Sequence, residues 1–335
     1  MKLLKTIRNN GLRSIIITLC MTPVMALWSG APRADNYPSH PVKIIVPGPA
    51  GGTPDIMARQ LGEQLQTHLK QTVIVDNRAG AAGLIGVNSV AKASPDGYTL
   101  LMGFAQTMAL NPATTPNLPY DAQTDFAPIA RLVEFELALV VPSSVPAHTL
   151  PELVSWLQAN PSQANFGSFG QGTPSQFAGQ LFSRHAGVPA VHVPYKGSAQ
   201  LITELIGGRV HFGFVVPQVA MQHVESGKLR LLAITGQNRS KKLENVPTMK
   251  ELGYDDIVAG GWYGLFAPKD TPTHIINQLS ESVATSLSSP ELKRRLEDQE
   301  LQPSYLASKE FQRFQEEEIA RWRDVVQTTG FVVKD

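Results

Sequence analysis

Val46-Pro47-Gly48-Pro49-Ala50-Gly51-Gly52-Thr53-Pro54-Asp55 links a short apolar run to an amphipathic one, and Gly167-Ser168-Phe169-Gly170-Gln171-Gly172-Thr173-Pro174-Ser175-Gln176 repeats the arrangement further along. Ahead of the first stretch, Val42 to Val46 reads as a buried strand closed by Pro47 and Gly48. Behind it, Met57, Leu61, Leu65 and Leu69 recur every four residues, which predicts a helix over 54–69. The second stretch leaves a strand near Asn165-Phe166-Gly167 and opens a helix over 174–185. Thr53 and Thr173 suit the helix N-cap, where a side-chain oxygen accepts from a free helix N–H. Pro54 and Pro174 suit the first helical position, which needs no donor. The glycines let a ligand come close to the backbone. Unpaired N–H groups at the positive end of a helix form a site for a carboxylate or phosphate.

Outward from these loops, strands are expected at 72–75, 98–104, 137–141, 190–194, 211–216, 229–235 and 262–267. Helices are expected at 151–159, 198–206, 272–287 and 309–327. Strands alternating with helices make an α/β chain with a mainly parallel sheet. In open α/β sheets, ligands bind at the carboxyl ends of strands, which is where both loops fall. Tyr195-Lys196-Gly197-Ser198 also joins a strand to a helix, with Ser198 as its expected cap.

The 335 residues are 42% hydrophobic and 17% charged, with 27 Gly and 25 Pro, a globular composition long enough for two domains. Residues 1–34 are set apart as a signal peptide. Lys2, Lys5, Arg8 and Arg13 precede an apolar stretch from Ser14 to about Trp28, shorter than the roughly 20 residues of a membrane span. Cleavage is expected after Ala26 or after Ala34, and the mature protein is expected in the periplasm. The single cysteine, Cys20, would be lost, leaving neither disulfides nor thiolate metal ligands. Removing the four basic residues leaves 25 basic against 28 acidic, about −3, which argues against nucleic acid as partner.

Enzyme signatures are missing. Pro54-Asp55 stands where a phosphate-binding loop would end in Lys-Ser/Thr. No Gly-x-Ser-x-Gly elbow surrounds Ser168. The eight histidines are scattered without His-Glu-x-x-His, so neither a metal nor a cofactor is expected. Asp55, Asp76 and Asp96 fit as cap or turn residues.

Tyr37-Pro38 with Pro41-Val42, the Pro47–Asp55 loop, and Asp76-Asn77-Arg78-Ala79-Gly80-Ala81-Ala82-Gly83 form the first part of an ordered set of motifs. Pro95-Asp96-Gly97-Tyr98-Thr99, Val193-Pro194-Tyr195-Lys196-Gly197 and Trp262-Tyr263-Gly264-Leu265-Phe266-Ala267-Pro268 complete it. In order and spacing the set resembles the Bug family, the extracytoplasmic solute receptors of tripartite tricarboxylate transporters. The resemblance implies a two-lobed type II periplasmic-binding-protein fold with a ligand cleft between the lobes. Lobe 1 is expected at 37–141 plus 261–335, and lobe 2 at 142–260. It also implies a small carboxylate held through backbone amides and ordered waters, a monomer, and the large and small membrane subunits of a transporter as partners. Mapped onto this chain, the ligand-binding candidates in the first loop are Gly48, Pro49, Ala50, Gly51, Gly52, Thr53 and Asp55. In the second loop they are Ser168, Phe169, Gln171, Gly172, Thr173, Pro174, Ser175 and Gln176. Tyr195, Lys196 and Val216 would line the same cleft. Family members often carry His at Gln176 and an acidic residue near Val215-Val216. Both departures make the pocket less polar and point to a ligand larger or more apolar than citrate or aspartate, such as an aromatic carboxylate. Two alternatives carry different predictions: presentation of the ligand to a sensor kinase, and an exported α/β hydrolase, which would need a nucleophile–base pair.

Overall fold

The computed structural model describes residues 37–329 apart from Pro116, Lys241 and Val258. The segment read as a signal peptide, residues 1–34, lies outside the described residues. In chain order the first elements are β1 (Val42–Val46), α1 (Thr53–Leu69), β2 (Val73–Asn77), α2 (Leu84–Ala91), β3 (Thr99–Phe104) and α3 (Asn111–Thr114). Next come β4 (Phe126–Glu136), β5 (Ala138–Pro142), α4 (Leu150–Ala159), β6 (Asn165–Ser168), α5 (Pro174–His185), β7 (Val191–Pro194) and α6 (Ser198–Ile206). They are followed by β8 (Phe212–Val215), α7 (Pro217–Glu225), β9 (Leu229–Ile234) and β10 (Gly260–Pro268). The chain continues through α8 (Thr273–Leu287), α9 (Pro290–Asp298), β11 (Gln302–Ala307) and α10 (Ser308–Thr329).

The strands build two sheets, ordered β11-β4-β10-β3-β1-β2 and β7-β6-β8-β5-β9. Each contains the same unit. β1-α1-β2-α2-β3 places three parallel strands in the order β2-β1-β3, and β6-α5-β7-α6-β8 places three in the order β7-β6-β8. In each unit the chain steps one strand outward and then back past its start. Right-handed crossovers then put the two helices on opposite faces of the sheet. The cores agree: Met57, Leu61 and Leu65 of α1 pack with Ile44, whereas Val87 and Val90 of α2 pack with Ile45. In the second unit, Ala178 and Phe182 of α5 meet Phe166, and Leu201 and Leu205 of α6 meet Val215.

Neither sheet is mainly parallel, contrary to the expectation from the alternating pattern. β10 runs antiparallel to β3 and β4, β11 antiparallel to β4, and β5 antiparallel to β8 and β9. The reason is the path of the chain, which crosses between the sheets and returns. The strand expected at 137–141 is β5, at Ala138–Pro142, and it belongs to the second sheet. The chain therefore leaves the first sheet at Leu137. It regains the first sheet at Gly260, which pairs with Glu136.

Helix starts share a device that the sequence pattern does not reveal. In α1, α4, α5 and α6 the third helical residue reaches back to the amide of the residue before the N-cap. Gly51 N–H donates to Asp55 Oδ2 (2.8 Å), His148 N–H to Glu152 Oε2 (2.7 Å), Gly172 N–H to Gln176 Oε1 (2.7 Å) and Lys196 N–H to Gln200 Oε1 (2.9 Å). This resembles a capping box lengthened by one residue. Thr173 caps α5 as expected, accepting from Gln176 N–H at 3.4 Å. Thr53 does not cap α1: Gly52 holds that position, so Thr53 is the first helical residue and Pro54 the second. Gly197 likewise replaces Ser198 as the cap of α6.

Two chain passages connect the sheets, one through Leu137 and one through 235–259, and Thr235 ties them. Thr235 N–H donates to Leu137 O (2.8 Å), Leu137 N–H donates to Thr235 Oγ1 (2.9 Å), and Thr235 Oγ1–H donates to Ala259 O. Glu136 sits beside this knot. A Cβ on Gly236 would stand 2.0 Å from its Oε1, so any larger residue there would push the Glu136 carboxyl aside. Burial, then the charges of Glu300 and Glu134, push the Glu136 carboxyl up to about 7.

Two outcomes are expected at this hinge. Thr235→Val keeps the side-chain shape but strands a buried N–H and a carbonyl, so urea unfolding should show a loss of about 3 kcal/mol. Glu136 binds its proton more tightly in the folded than in the unfolded chain, so its contribution is favourable below about pH 4.5 and is lost as pH rises through about 7. Glu136→Gln should therefore raise the urea midpoint clearly at pH 8 and much less at pH 5. Equal gains at both pH values would contradict this.

Candidate functional site

The direction of the strands sets where the two loops lie. β4 runs parallel to β3 and ends at Glu136, and β5 starts at Ala138 opposite the end of β8. The hinge thus lies at the carboxyl ends of the parallel strands of both sheets. The loops after β1, β2 and β3, and those after β6, β7 and β8, therefore leave their sheets at the ends nearest this crossing. β1 and β6 each flank the point where the strand order reverses, the place where open α/β sheets leave a crevice. Both Gly-Thr-Pro loops follow these two strands. α4 starts at the other end of the second sheet, because β5 is antiparallel to β8.

The first loop rests on the turn after β2. Asn77 Nδ2–H donates to Gly48 O (3.3 Å), and Pro47 lies where a Cβ on Gly86 would come within 2.8 Å. Pro49, Ala50 and Gly51 form its exposed tip, closed by Gly52 N–H donating to Pro49 O (3.3 Å). Asp55 is buried beneath the tip. Besides Gly51 it meets Arg59, whose Nη2 lies 2.9 Å from Asp55 Oδ1, and Arg59 bonds Asn77 Oδ1 in turn (3.2 Å). Burial raises the Asp55 pKa, but hydrogen bonds from Arg59, Gly51 and Asn77 more than offset it and hold the carboxyl below its usual range. The Thr53 side chain faces the hydroxyl of Tyr263, on the returning strand β10, and pulls its ionisation down against burial. Tyr263 is fully buried, which pushes its ionisation upward, and its ring stacks on Phe135 at 5.1 Å.

The second loop is held as tightly. Ser168, Gly172, Thr173, Ser175 and Gln176 are buried, and Gln171 is exposed. Gly170 O accepts from Ser168 Oγ (2.8 Å) and Thr173 Oγ1 (2.7 Å), and Ser175 Oγ–H donates to Phe214 O (2.5 Å). Gly170 and Gly172 take φ of +158° and +68°, conformations that favour glycine. From the neighbouring strand β7, His192 Nε2 lies 2.7 Å from Ser168 Oγ, and burial lowers the His192 pKa to about 4. The helix begun by this loop also touches the other lobe, with Phe177 5.2 Å from Trp322 of α10.

The side chains named from sequence thus fall into two groups. Those of Asp55, Ser168, Thr173 and Gln176 are turned inward to hold their own loops, and that of Ser175 ties the second loop to β8. Tyr195 donates its N–H to Ser168 O (2.9 Å), but its ring packs along α6 by Gly167, and its phenol feels Glu204 and Arg209. Lys196 is exposed, and Val216 is buried at the start of α7. What the loops can offer a ligand is backbone. The first intrahelical bonds are Ile56 N–H to Gly52 O and Phe177 N–H to Thr173 O, so the amides of Thr53, Asp55 and Ser175 precede them and have no partner within their helices. Arg59, Asn77, His192 and Tyr263 were missed. Asn77 and Tyr263 lie in motifs visible in the sequence, whereas His192 has no signal beyond its strand. Among the described residues no group of three or more His, Cys, Asp or Glu could hold a metal ion, and no helix is long and apolar enough to cross a membrane.

The family model for the tripartite tricarboxylate transporter family receptor matches residues 57–331. The chain is 35% identical over 302 residues to protein BugT of Bordetella pertussis, covering 90% of this chain and 93% of that one. Among solved structures it is similar to R. palustris Rpa4515 with adipate, at TM-score 0.83 and 33% identity over 88% of this chain and 99% of that one. MatC from Rhodopseudomonas palustris with bound malate matches at TM-score 0.79 and 30% identity, covering 87% of this chain and 100% of that one. The periplasmic binding protein BugD matches at TM-score 0.81 and 30% identity, covering 89% and 100%. These relatives are receptors and not enzymes. The chain belongs to the tripartite tricarboxylate transporter receptor family and is a two-lobed periplasmic solute-binding protein.

Proposed function

We propose that this receptor captures one carboxylate between the loops Gly48–Asp55 and Ser168–Gln176 and delivers it to the membrane subunits of a tripartite transporter. The observation that carries the reading is the pair of matched helix starts at opposed strand ends, each with amides its own helix cannot satisfy. Such amides aim partial positive charge at an anion. The lobes would divide at Leu137 and between Ala259 and Gly260, and a hinge there would bring the loops onto opposite sides of one ligand.

The carboxylate would have an apolar body. Phe104, Phe169 and Val216 stand at or just beyond the carboxyl ends of β3, β6 and β8, and the buried polar side chains Asp55, Ser168, Thr173, Ser175 and Gln176 are spent on protein partners. An aliphatic dicarboxylate such as adipate, which R. palustris Rpa4515 holds, or an aromatic carboxylate fits this better than a compact hydroxy acid.

Calorimetry and thermal unfolding with adipate, phthalate, malate and citrate test the reading. Adipate or phthalate should bind one per chain and be recovered unchanged. At a hundredfold excess over Kd, the ligand should add about 2.7 kcal/mol of stability. Tight binding confined to malate and citrate would overturn the apolar-body reading. Thr173→Trp, at the start of α5, should weaken binding at least about tenfold. Its stability cost should be roughly 2–4 kcal/mol, from the lost cap plus overpacking at this buried position, so affinity is compared under conditions where the variant is folded. Undiminished affinity in that variant would remove the second loop from the site.

A further inference from the structure

We propose that His192 is a positioning residue for ligand capture: through Ser168 it fixes the Gly170–Gln171 peptide so that the Gln171 N–H faces the cleft. The inference rests on the reading that the second loop binds the ligand, and adds a residue outside the loop that prepares it.

The chain of contacts is short. His192 lies on β7 beside Phe166 of β6, in parallel register, and its ring stacks on the Phe166 ring at 4.9 Å and 29°. That stack directs Nε2 along the sheet toward Ser168, two residues nearer the strand end, which it meets at 2.7 Å. A serine hydroxyl has one proton and two lone pairs. Ser168 Oγ–H donates to Gly170 O at 2.8 Å, and Gly170 N–H donates back to it at 3.3 Å. A neutral imidazole protonated at Nε2 fills the remaining lone pair, and with that tautomer the hydroxyl proton keeps its direction toward Gly170 O. Thr173 Oγ1–H meets the same carbonyl at 2.7 Å. With that carbonyl turned inward onto two hydroxyls, the planar trans peptide turns the next N–H, that of the exposed Gln171, the opposite way.

The equivalent strand of the first unit acts likewise. Asn77 ends β2 and donates to Gly48 O of the first loop, as His192 on β7 serves the second. The imidazole is held neutral by burial, which leaves it the single ring N–H that this network needs.

The test compares His192→Phe, which keeps the stack and loses the donor, with His192→Gln, Ser168→Ala and the His192→Phe/Ser168→Ala double variant. Hydrogen exchange of the ligand-free proteins is read at the amides of Gly170, Gln171 and Gly172, and adipate affinity by calorimetry. His192→Phe and Ser168→Ala should each speed exchange in this loop and weaken adipate about tenfold. His192→Gln should restore both toward wild type, and the double variant should be no worse than Ser168→Ala alone. Loop exchange unchanged in His192→Phe, or losses that multiply in the double variant, would overturn the proposal. If wild type binds no adipate, the dicarboxylate reading fails, and the exchange data alone still decide whether His192 orders the loop.

Discussion

The amides at the start of a helix have no partner within it, and the arrangement around the cleft follows from that deficit. A strand that ends at a hinge and turns into a helix delivers N–H groups to the space between the lobes. Something must hold the turn without consuming those groups. In α1 and α5 the third helical residue, Asp55 or Gln176, takes the amide just before the cap and leaves later ones open. The same brace at the start of α4, at the far end of the second sheet, shows that it serves the helix first. Asp55 and Gln176 are therefore better understood as supports for donors than as donors or acceptors for a ligand.

Electrostatics reinforces the point. A buried carboxylate near an incoming carboxylate would repel it unless neutralised, and Arg59 on the next turn of α1 meets Asp55 at 2.9 Å. Loop 2 has no charge to cancel, since the neutral Gln176 does the same mechanical work. The proposed site would thus hold an anion by dipoles alone, which makes shape and the apolar surroundings, not charge count, the source of selectivity.

Much of this was legible in the sequence, though unevenly. α5 and α6 fall at the expected residues because Gly-Thr-Pro and Lys-Gly-Ser mark their starts and a clean apolar face follows. β4 went unassigned although it lies at the heart of the first sheet, because Arg131 and Glu134 break its apolar run. The structure answers both: Arg131 is buried against Ser304 and Glu134, with its guanidinium 4.4 Å from the centre of the Phe314 ring. α9 escaped notice because only Leu292 and Leu296 of its nine residues are buried. At the candidate site the loops were legible and the side-chain directions were not. A serine or threonine in a glycine-rich turn is the same letter whether its hydroxyl meets a ligand or, like Thr173, a carbonyl three residues away.

The two matched units also differ in a way that bears on how a ligand would be taken up. The first loop has an exposed tip, Pro49-Ala50-Gly51, braced from below. The second is buried from Gly172 to Gln176, and its helix already packs on α10 through Phe177 and Trp322. Ordering a loop costs conformational entropy whenever it happens. In the second loop that cost falls during folding, where the core of the lobe offsets it. Thr53 of the first loop faces Tyr263 on the returning strand, whose ring stacks on Phe135 one residue before Glu136. On the proposed reading the labour would be divided: the second loop would present fixed amides, and contact with the first would act next to the strands that join the two sheets.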